Sequence, residues 1–467
     1  MYRCFISAKI MFQPFKYNLT IRMLINSYQM LRRLMLLLFL LPAVVLAQPT
    51  RQLTLKEAIT LARRHSNSLR ADSLQNRIRS TQTVQAANGR LPEIAVNSTF
   101  QRLSNNITPF VISLPEGSFA INPQILNQSY NALQLRQLLF GGGKLSSNIK
   151  ALQKEEAAGR EDYRRSTLGL EQQITDLWFN LYNARASEQI MLGNIDALSK
   201  RRDDLNKYRV QGIVLANDVL KIELAVTSLR SSLADIAALA GSLNYNLCVL
   251  TDIGSTTNIQ IPESFIAIVD DSRPLQAYLS GALVRRPELA GIKLRTDAAT
   301  YRVSAAKADY LPTLSLIGSY NYDRPNQRII PNIPRFNYSA LVGLSFSWRL
   351  SSFYTNQAHV SENKLAVAQL QSNLAFSREN VQQEVNANYL NYRKTLEKIQ
   401  LTRTELEQAT ENYRVEQNKL NAQTTTPTDF LSANASLLQA QLNLASAKAN
   451  AELAYHKLLQ STAETTN

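Results

Sequence analysis

The sequence predicts a mainly α-helical chain with long coiled-coil hairpins, interrupted twice by short β segments and built as two copies of one unit. Three observations carry this reading. At a constant offset of 220, residues 55–92 align without a gap with 275–312, matching Leu55/Leu275, Ala62/Ala282, Leu69/Leu289, Leu74/Leu294, Ala86/Ala306, Leu91/Leu311 and Pro92/Pro312. After each Leu-Pro the helical pattern stops and side chains alternate with strand periodicity, "LPEIAVNSTFQR" from residue 91 and "LPTLSLIGSYNY" from residue 311. Beyond the strands, apolar residues recur at spacings of four and three over long proline-free stretches.

The first 47 residues carry six basic and no acidic residues, and an apolar run at 34–41 follows Arg32 and Arg33. That is the layout of a secretory leader. Val45, Leu46 and Ala47 place small residues before Gln48, so the mature chain is expected to start there, and Met30 makes a more ordinary start than Met1. The run is too short, and broken by Pro42, to serve as a transmembrane anchor of about 18–20 residues. No lipid-accepting cysteine follows Ala47; Cys4 lies in the leader, and Cys248 is left as a single cysteine packed on a helix.

In the first copy, Ile94, Val96 and Phe100 alternate with Ala95, Asn97, Thr99 and Gln101; in the second, Leu314, Leu316, Tyr320 and Tyr322 alternate with Ser315, Ser319 and Asn321. The second strand of each copy pairs Leu133, Leu135 and Leu139 with Leu344, Phe346 and Leu350 at an offset of 211. The nine-residue change in offset falls in the intervening loops, 105–129 and 323–337, where insertions are tolerated. Val342 and Trp348 join the apolar set; Ser339, Ser345 and Ser347 join the polar one. Apolar outside and polar inside describes a water-filled pore, with Tyr320, Tyr322, Tyr338, Phe346 and Trp348 placed as an aromatic girdle. A soluble antiparallel sheet with one buried face fits the strands by themselves equally well. In a membrane, however, four strands cannot close a barrel, so several chains would have to share one.

From 144 to 206 the seam reads Leu170, Ile174, Leu177, Leu181, Ala184, Glu188, Met191, Ile195, Leu198, Arg202 and Leu205, and the return segment continues Val219, Ile222, Val226, Leu229, Leu233, Ile236, Ala240, Leu243, Leu247 and Leu250. The second copy repeats the rhythm from Val381 through Tyr392, Ile399 and Tyr413 to Leu420. Its last helix carries two seams, one through Leu431, Leu438 and Leu442, the other through Leu437, Ala440, Leu444, Ala447 and Leu458. Such a helix is expected to touch neighbours on both sides.

Removing the leader lowers the net charge from +15 to +9. The basic residues are dispersed, no basic run exceeds two, and an exported chain meets little nucleic acid, so nucleic-acid binding is not expected. After the leader no uninterrupted run of 18 apolar residues occurs, so membrane embedding is expected through strands. His65, His359 and His456 lie far apart without acidic or cysteine partners at ligand spacing; Gly141, Gly142, Gly143 and Lys144 lack phosphate-loop spacing, and no nucleophile motif occurs. No enzyme, metal site or cofactor is expected.

The doubled unit, "LLFGGG" at 138–143 and "YRVQGIVLANDVL" at 208–220 resemble the TolC-type outer-membrane efflux proteins across the mature chain. The resemblance implies a signal peptide at 1–47 and one efflux-protein domain at 48–467, with repeat one at 55–254 (β segment 93–140) and repeat two at 275–460 (β segment 313–350). It implies a homotrimer whose four strands per protomer form a 12-stranded barrel in outer-membrane lipid, and whose helices form a periplasmic tunnel meeting an adaptor and an inner-membrane pump. The chain would then be the passive exit duct of a tripartite efflux pump or type I secretion system in a Gram-negative bacterium. An exported periplasmic coiled-coil scaffold is the alternative. The adaptor-docking tip would be Gly212, Ile213, Val214, Leu215 and Ala216 with Asp218, the turn being an exposed apolar triplet with Gly212 in a left-handed backbone. The barrel-tunnel hinge would be Gly141, Gly142 and Gly143, and the periplasmic gate Asp429, with Ser432 where some relatives carry a second acid and Leu420 where some carry a gate tyrosine. Two departures stand out: "RLSSF" at 349–353 replaces a second glycine hinge, and Gln423 stands opposite Gly212.

Overall fold

The computed structural model describes residues 50–464 apart from 107, 109, 122, 123 and 267; the predicted leader lies outside them. Residues 52–255 and those from 259 onward form one compact unit, and the described residues outside it, Thr50, Arg51 and 256–258, belong to another.

Nine helices are described, and the same order of elements occurs twice. Helices α1 (Leu55–His65) and α2 (Asn67–Asn88) precede strands β1 (Glu93–Arg102) and β2 (Asn127–Phe140), then the hairpin α3 (Lys144–Val210) and α4 (Ala216–Thr251). The second copy runs α5 (Leu275–Arg285), α6 (Pro287–Lys307), β3 (Thr313–Asp323), β4 (Asn337–Ser347), the one-turn α7 (Ser352–Thr355), α8 (Gln357–Asn421) and α9 (Pro427–Ser461). The aligned residues Ala62 and Ala282 are both fully buried, and Leu69 and Leu289 nearly so. What the alignment presented as one helical run is broken in each copy at the same place. Ser66 and Arg286 take extended backbone at φ −64°, ψ 112° and φ −61°, ψ 120°. Ser66 accepts the Leu69 amide at 3.2 Å and so caps α2, while Pro287 disfavours helical backbone at Arg286.

At 67 and 65 residues, α3 and α8 are each about 100 Å long. Every predicted seam position of α3 and α4 is buried or half-buried. The two seams of α9 find two partners, since α9 packs on both α8 and α3. Across the latter contact Asn194 and Asn434, both buried, exchange side-chain hydrogen bonds of 3.1 and 3.3 Å. A satisfied polar pair in an apolar seam pins register, because sliding strands its amides without partners. Cys248 is buried in the α1/α3/α4 core beside Trp178 and Leu247, as expected. One correction concerns hydropathy: α4 contains an 18-residue window of mean hydropathy 1.4, long and apolar enough to cross a membrane by length and composition. Asp235, Ser242, Asn244 and Asn246 break the apolar residues of that stretch into shorter runs, and its Ala240, Leu247 and Cys248 pack in the α1/α3/α4 core.

The four strands form one antiparallel sheet in the order β1-β2-β3-β4, so the two copies join through β2 and β3. The sheet is open, with β1 and β4 at its edges. Leu314, Leu316, Tyr320 and Tyr322 lie opposite Phe346, Leu344, Ala340 and Tyr338, and Ser315 and Asn321 opposite Ser345 and Ser339, as the alternation predicts. Two details differ from expectation. A β-bulge between Leu138 and Phe140 shifts the phase of β2, so Phe140 rather than Leu139 lies opposite Leu314. The first loop is shorter than 105–129, because β2 begins at Asn127, and it contains a hairpin of Val111–Leu114 and Gly117–Ala120. "PEG" at 115–117 was the legible signal for that turn.

Candidate functional site

Three places hold the residues singled out by the sequence: the sheet, the joints between strands and helices, and the far ends of the hairpins. On the sheet, one face is apolar and open. Ile94, Val96, Phe100, Leu133, Val342, Leu344 and Phe346 are all exposed, Val96 to 76% and Val342 to 79%. Across β1 and β2 polar side chains interrupt the face at Ser129, at Gln137 and where Ser98 donates to Asn131 at 2.6 Å. The other face carries amides and hydroxyls, among them Gln101, whose amide donates to Gln128 at 2.8 Å. Aromatic pairs stack at the loop end of β3 and β4, Tyr320 on Tyr338 at 6.1 Å and Tyr322 on Phe336 at 5.2 Å between centroids. At the opposite end Phe353 lies 5.9 Å from Tyr310 and 6.1 Å from Trp348, whose indole N–H donates to the Tyr310 carbonyl at 3.0 Å. Leu314 to Tyr322 spans roughly 26 Å at strand rise, close to the height of a bilayer's apolar band.

The two joints solve one problem differently. Between β2 and α3, Gly142 and Gly143 take left-handed backbone at φ +63° and +81°, whereas Gly141 does not. Gly142 is also wedged: a Cβ there would lie 2.8 Å from the Ala308 carbonyl oxygen and 3.0 Å from Leu311 Cβ. Lys144, the next residue but one, reaches Asp309 at 2.7 Å and ties the start of α3 to the same turn. Between β4 and α8 there is no glycine; α7 makes the turn, Phe353 packs on Tyr310, and the Asn356 amide donates to the Ala306 carbonyl at 2.7 Å. Sequence reading found the glycines and missed this aromatic joint, whose residues are dispersed in the chain.

At the far end the two hairpin turns share one core, in which Val219, Ile222 and Val226 pack with Leu205, Leu420 and Phe430. Gly212 is left-handed at φ +78°, as expected, and no heavy atom lies within 4 Å of a Cβ placed there. The apolar triplet divides. Ile213 and Leu215 are exposed, but Val214 is half-buried against the shared core. Its position places it under the turn, so the expected exposed triplet is an exposed pair. Asp218 lies in the first turn of α4 and pairs with Lys221 at 3.3 Å. In the second turn, Gln423 adopts the left-handed φ of +59° that glycine would take most cheaply.

The gate candidates are not brought to one surface. Asp429 and Ser432 are exposed near the start of α9, whereas Leu420 is 7% exposed inside the shared core, a consequence of its seam position on α8. Thr426 caps α9, accepting the Asp429 amide at 3.2 Å, and its hydroxyl donates to the Asp429 carboxylate at 2.7 Å. These Thr426 hydrogen bonds hold the Asp429 carboxyl below the usual carboxylate range. Thr425 donates to Glu416 at 2.9 Å, and Lys419 lies 2.7 Å from Glu416, so the turn is a charged, hydrogen-bonded knot.

One buried acid escaped the sequence reading. Glu452 on α9 accepts the Val269 amide at 2.9 Å, and burial pushes its carboxyl up to about 7. Tyr392 donates to the Val269 carbonyl at 2.6 Å and accepts the Asp271 amide at 2.8 Å, so α8 and α9 together grip the segment leading to α5. No group of three or more His, Cys, Asp or Glu placed to hold a metal occurs among the described residues.

Residues 278–464 match the model of the family described as outer membrane efflux protein. The chain is 26% identical over 191 residues to the outer membrane efflux protein BepC of Brucella suis biovar 1, an alignment spanning 40% of either chain. Solved structures extend the likeness in fold. The outer membrane protein VceC of Vibrio cholerae superposes with a TM-score of 0.74 at 17% identity, covering 88% of this chain and 97% of that one. CusC, studied for folding and transmembrane channel formation, superposes with a TM-score of 0.74 at 16% identity, covering 89% and 93%. Residues 278–464, within the second copy, thus match an outer membrane efflux protein domain, and the chain shares the fold of solved outer-membrane channels over nearly all of its described length.

Proposed function

We propose that three copies of this chain form a passive exit duct through the outer membrane, with the strands as barrel and the helical hairpins as a periplasmic tunnel. One observation carries the reading: a sheet with an exposed apolar face and two unpaired edges sits on helices of 67 and 65 residues. Unpaired backbone cannot face lipid, and β1 and β4 run in opposite directions, so edge-to-edge closure around a threefold axis keeps every pair antiparallel. Twelve strands result, apolar outward and polar inward. Burying the seven exposed apolar side chains named above in lipid is worth about 10–20 kcal/mol. A soluble scaffold would forgo that.

In this reading Gly141, Gly142 and Gly143 form the bend from barrel to tunnel. Gly212, Ile213, Leu215 and Ala216 form the tip that meets a periplasmic adaptor protein, which couples the duct to an inner-membrane pump, while Val214 and Asp218 hold the turn from below. Asp429, with Ser432 beside it, lines the constriction, and Leu420 packs behind it. The duct supplies a path and no driving force; small molecules or secreted proteins are both compatible with a polar tunnel.

Fractionation tests the reading. Heat-sensitive trimers in the outer-membrane fraction are expected, and Ile213→Asp with Leu215→Asp should abolish efflux while leaving those trimers in place. A soluble monomer in the periplasm would instead support the scaffold alternative, and trimers whose efflux ignores the paired substitution would remove the adaptor tip.

A further inference from the structure

We infer that the β-hairpin at 111–120 is an intersubunit clasp that docks on the loop 324–336 of the neighbouring copy. The inference rests on the trimeric reading above. All eight strand residues of the hairpin are exposed, including Val111, Ile112, Leu114 and Phe119, and Phe110 beside them is exposed too. Its strands pair with each other, Ile112 opposite Phe119 and Leu114 opposite Gly117, and with no strand of the main sheet. An isolated two-stranded hairpin is marginal in water, and one that exposes this much apolar surface requires a cover.

The topology names the cover. The hairpin lies in the loop that follows β1, whose outer edge is unpaired, and the other open edge of the sheet is β4. Closing the barrel therefore sets the neighbour's β4 beside β1. The end of β1 at Arg102 and the start of β4 at Asn337 lie at the same end of the sheet, where β2 begins and β3 ends. The neighbour's loop 324–336 thus stands directly beside the hairpin. Its chemistry fits: Ile330 is 77% exposed, Phe336 is exposed, and the loop carries Arg324, Arg328 and Arg335 without an acid. Residues 103–126 carry a single ionisable side chain, Glu116, at the hairpin turn. Apolar surface meets apolar surface and one acid meets three bases.

The test co-expresses two differently tagged chains, one Leu114→Cys and one Ile330→Cys, each also Cys248→Ala, and oxidises intact cells. A mixed dimer carrying both tags, reversed by reductant, is expected, and a cysteine pair of Leu114→Cys with Asn180→Cys, far down the helical hairpin, should give none. Replacing 111–120 by a short Gly-Ser linker should lower the temperature at which trimers dissociate in detergent. Trimers that form without the mixed cross-link, and that dissociate at the same temperature after the replacement, overturn the clasp and leave the duct reading standing. Nitroxide labels at 112 and 119 relaxed by lipid-soluble oxygen rather than by aqueous quencher also overturn it, in favour of a lipid-facing hairpin. Absence of any trimer in the unaltered protein sinks the duct reading itself.

Discussion

Substituting the three glycines between β2 and α3 one at a time by alanine should produce a graded loss of stability whose order follows from geometry. Gly141 has ordinary backbone, and its nearest contact for an added Cβ is the flexible Leu138 Cδ2 at 3.3 Å, so Gly141→Ala should cost less than about 1 kcal/mol. At Gly143 the φ of +81° penalises any Cβ, but no atom lies within 4 Å, so Gly143→Ala should cost about 1–2 kcal/mol. Gly142 combines a φ of +63° with a Cβ position 2.8 Å from a backbone carbonyl oxygen that a side-chain rotation cannot move. Left-handed strain and overpacking together come to about 2–5 kcal/mol there. The assay is the midpoint of thermal loss of helical circular dichroism for each purified variant in detergent, with insertion into the outer membrane scored in parallel. Asparagine tolerates left-handed backbone, so Gly143→Asn should behave close to wild type and Gly142→Asn should not. Equal midpoints for Gly142→Ala and Gly143→Ala would refute the steric argument and leave only backbone conformation.

Three further outcomes are expected. Asp429→Asn keeps an acceptor for the Thr426 hydroxyl while removing the charge, so in planar bilayers it should lose cation selectivity and block by multivalent cations with the fold intact; because Thr426 depresses the carboxyl's pKa, the wild-type selectivity should persist at pH values below the ordinary carboxylate range. Gln423→Gly relieves a left-handed φ of +59° and should raise the thermal midpoint by the equivalent of up to about 1 kcal/mol, part of the gain being lost to unfolded-state entropy. Glu452 has a folded pKa of about 7 against an ordinary 4.5, so its contribution to stability is complete below 4.5 and declines as pH rises through 7. Glu452→Gln should flatten the thermal midpoint over that window, and a wild-type midpoint that already ignores pH there would count against a buried, proton-holding carboxyl.

Local periodicity made most of the architecture legible. The spacing of four and three located both long hairpins, and the offset of 211 places their turns correctly, since α3 and α4 at 144–210 and 216–251 map onto α8 and α9 at 357–421 and 427–461 within two residues. Strand alternation assigned the two faces of the sheet, because side-chain direction reverses at every residue and needs no knowledge of the partner. Gly212 declared its left-handed turn for the same reason: backbone sterics are local. Other features depend on atoms distant in sequence. Phe140 rather than Leu139 joins the apolar face because a bulge rephases β2 against β3, which strand alternation within β2 cannot reveal. Leu420 reads as a candidate for an open surface until Val219, Ile222 and Phe430 are seen to close over it, and Val214 is drawn into the same core. Gly142 is constrained by the Ala308 carbonyl, 166 positions later in the chain. Glu452 reads as a polar break between alanines on α9, and only the segment packed across it makes it a buried acid with one backbone amide to answer it. What the sequence determined by itself was periodicity and backbone preference, which are carried by neighbours within a few residues; what the tertiary structure decided was which side chains lose water, because desolvation depends on whatever the fold brings alongside.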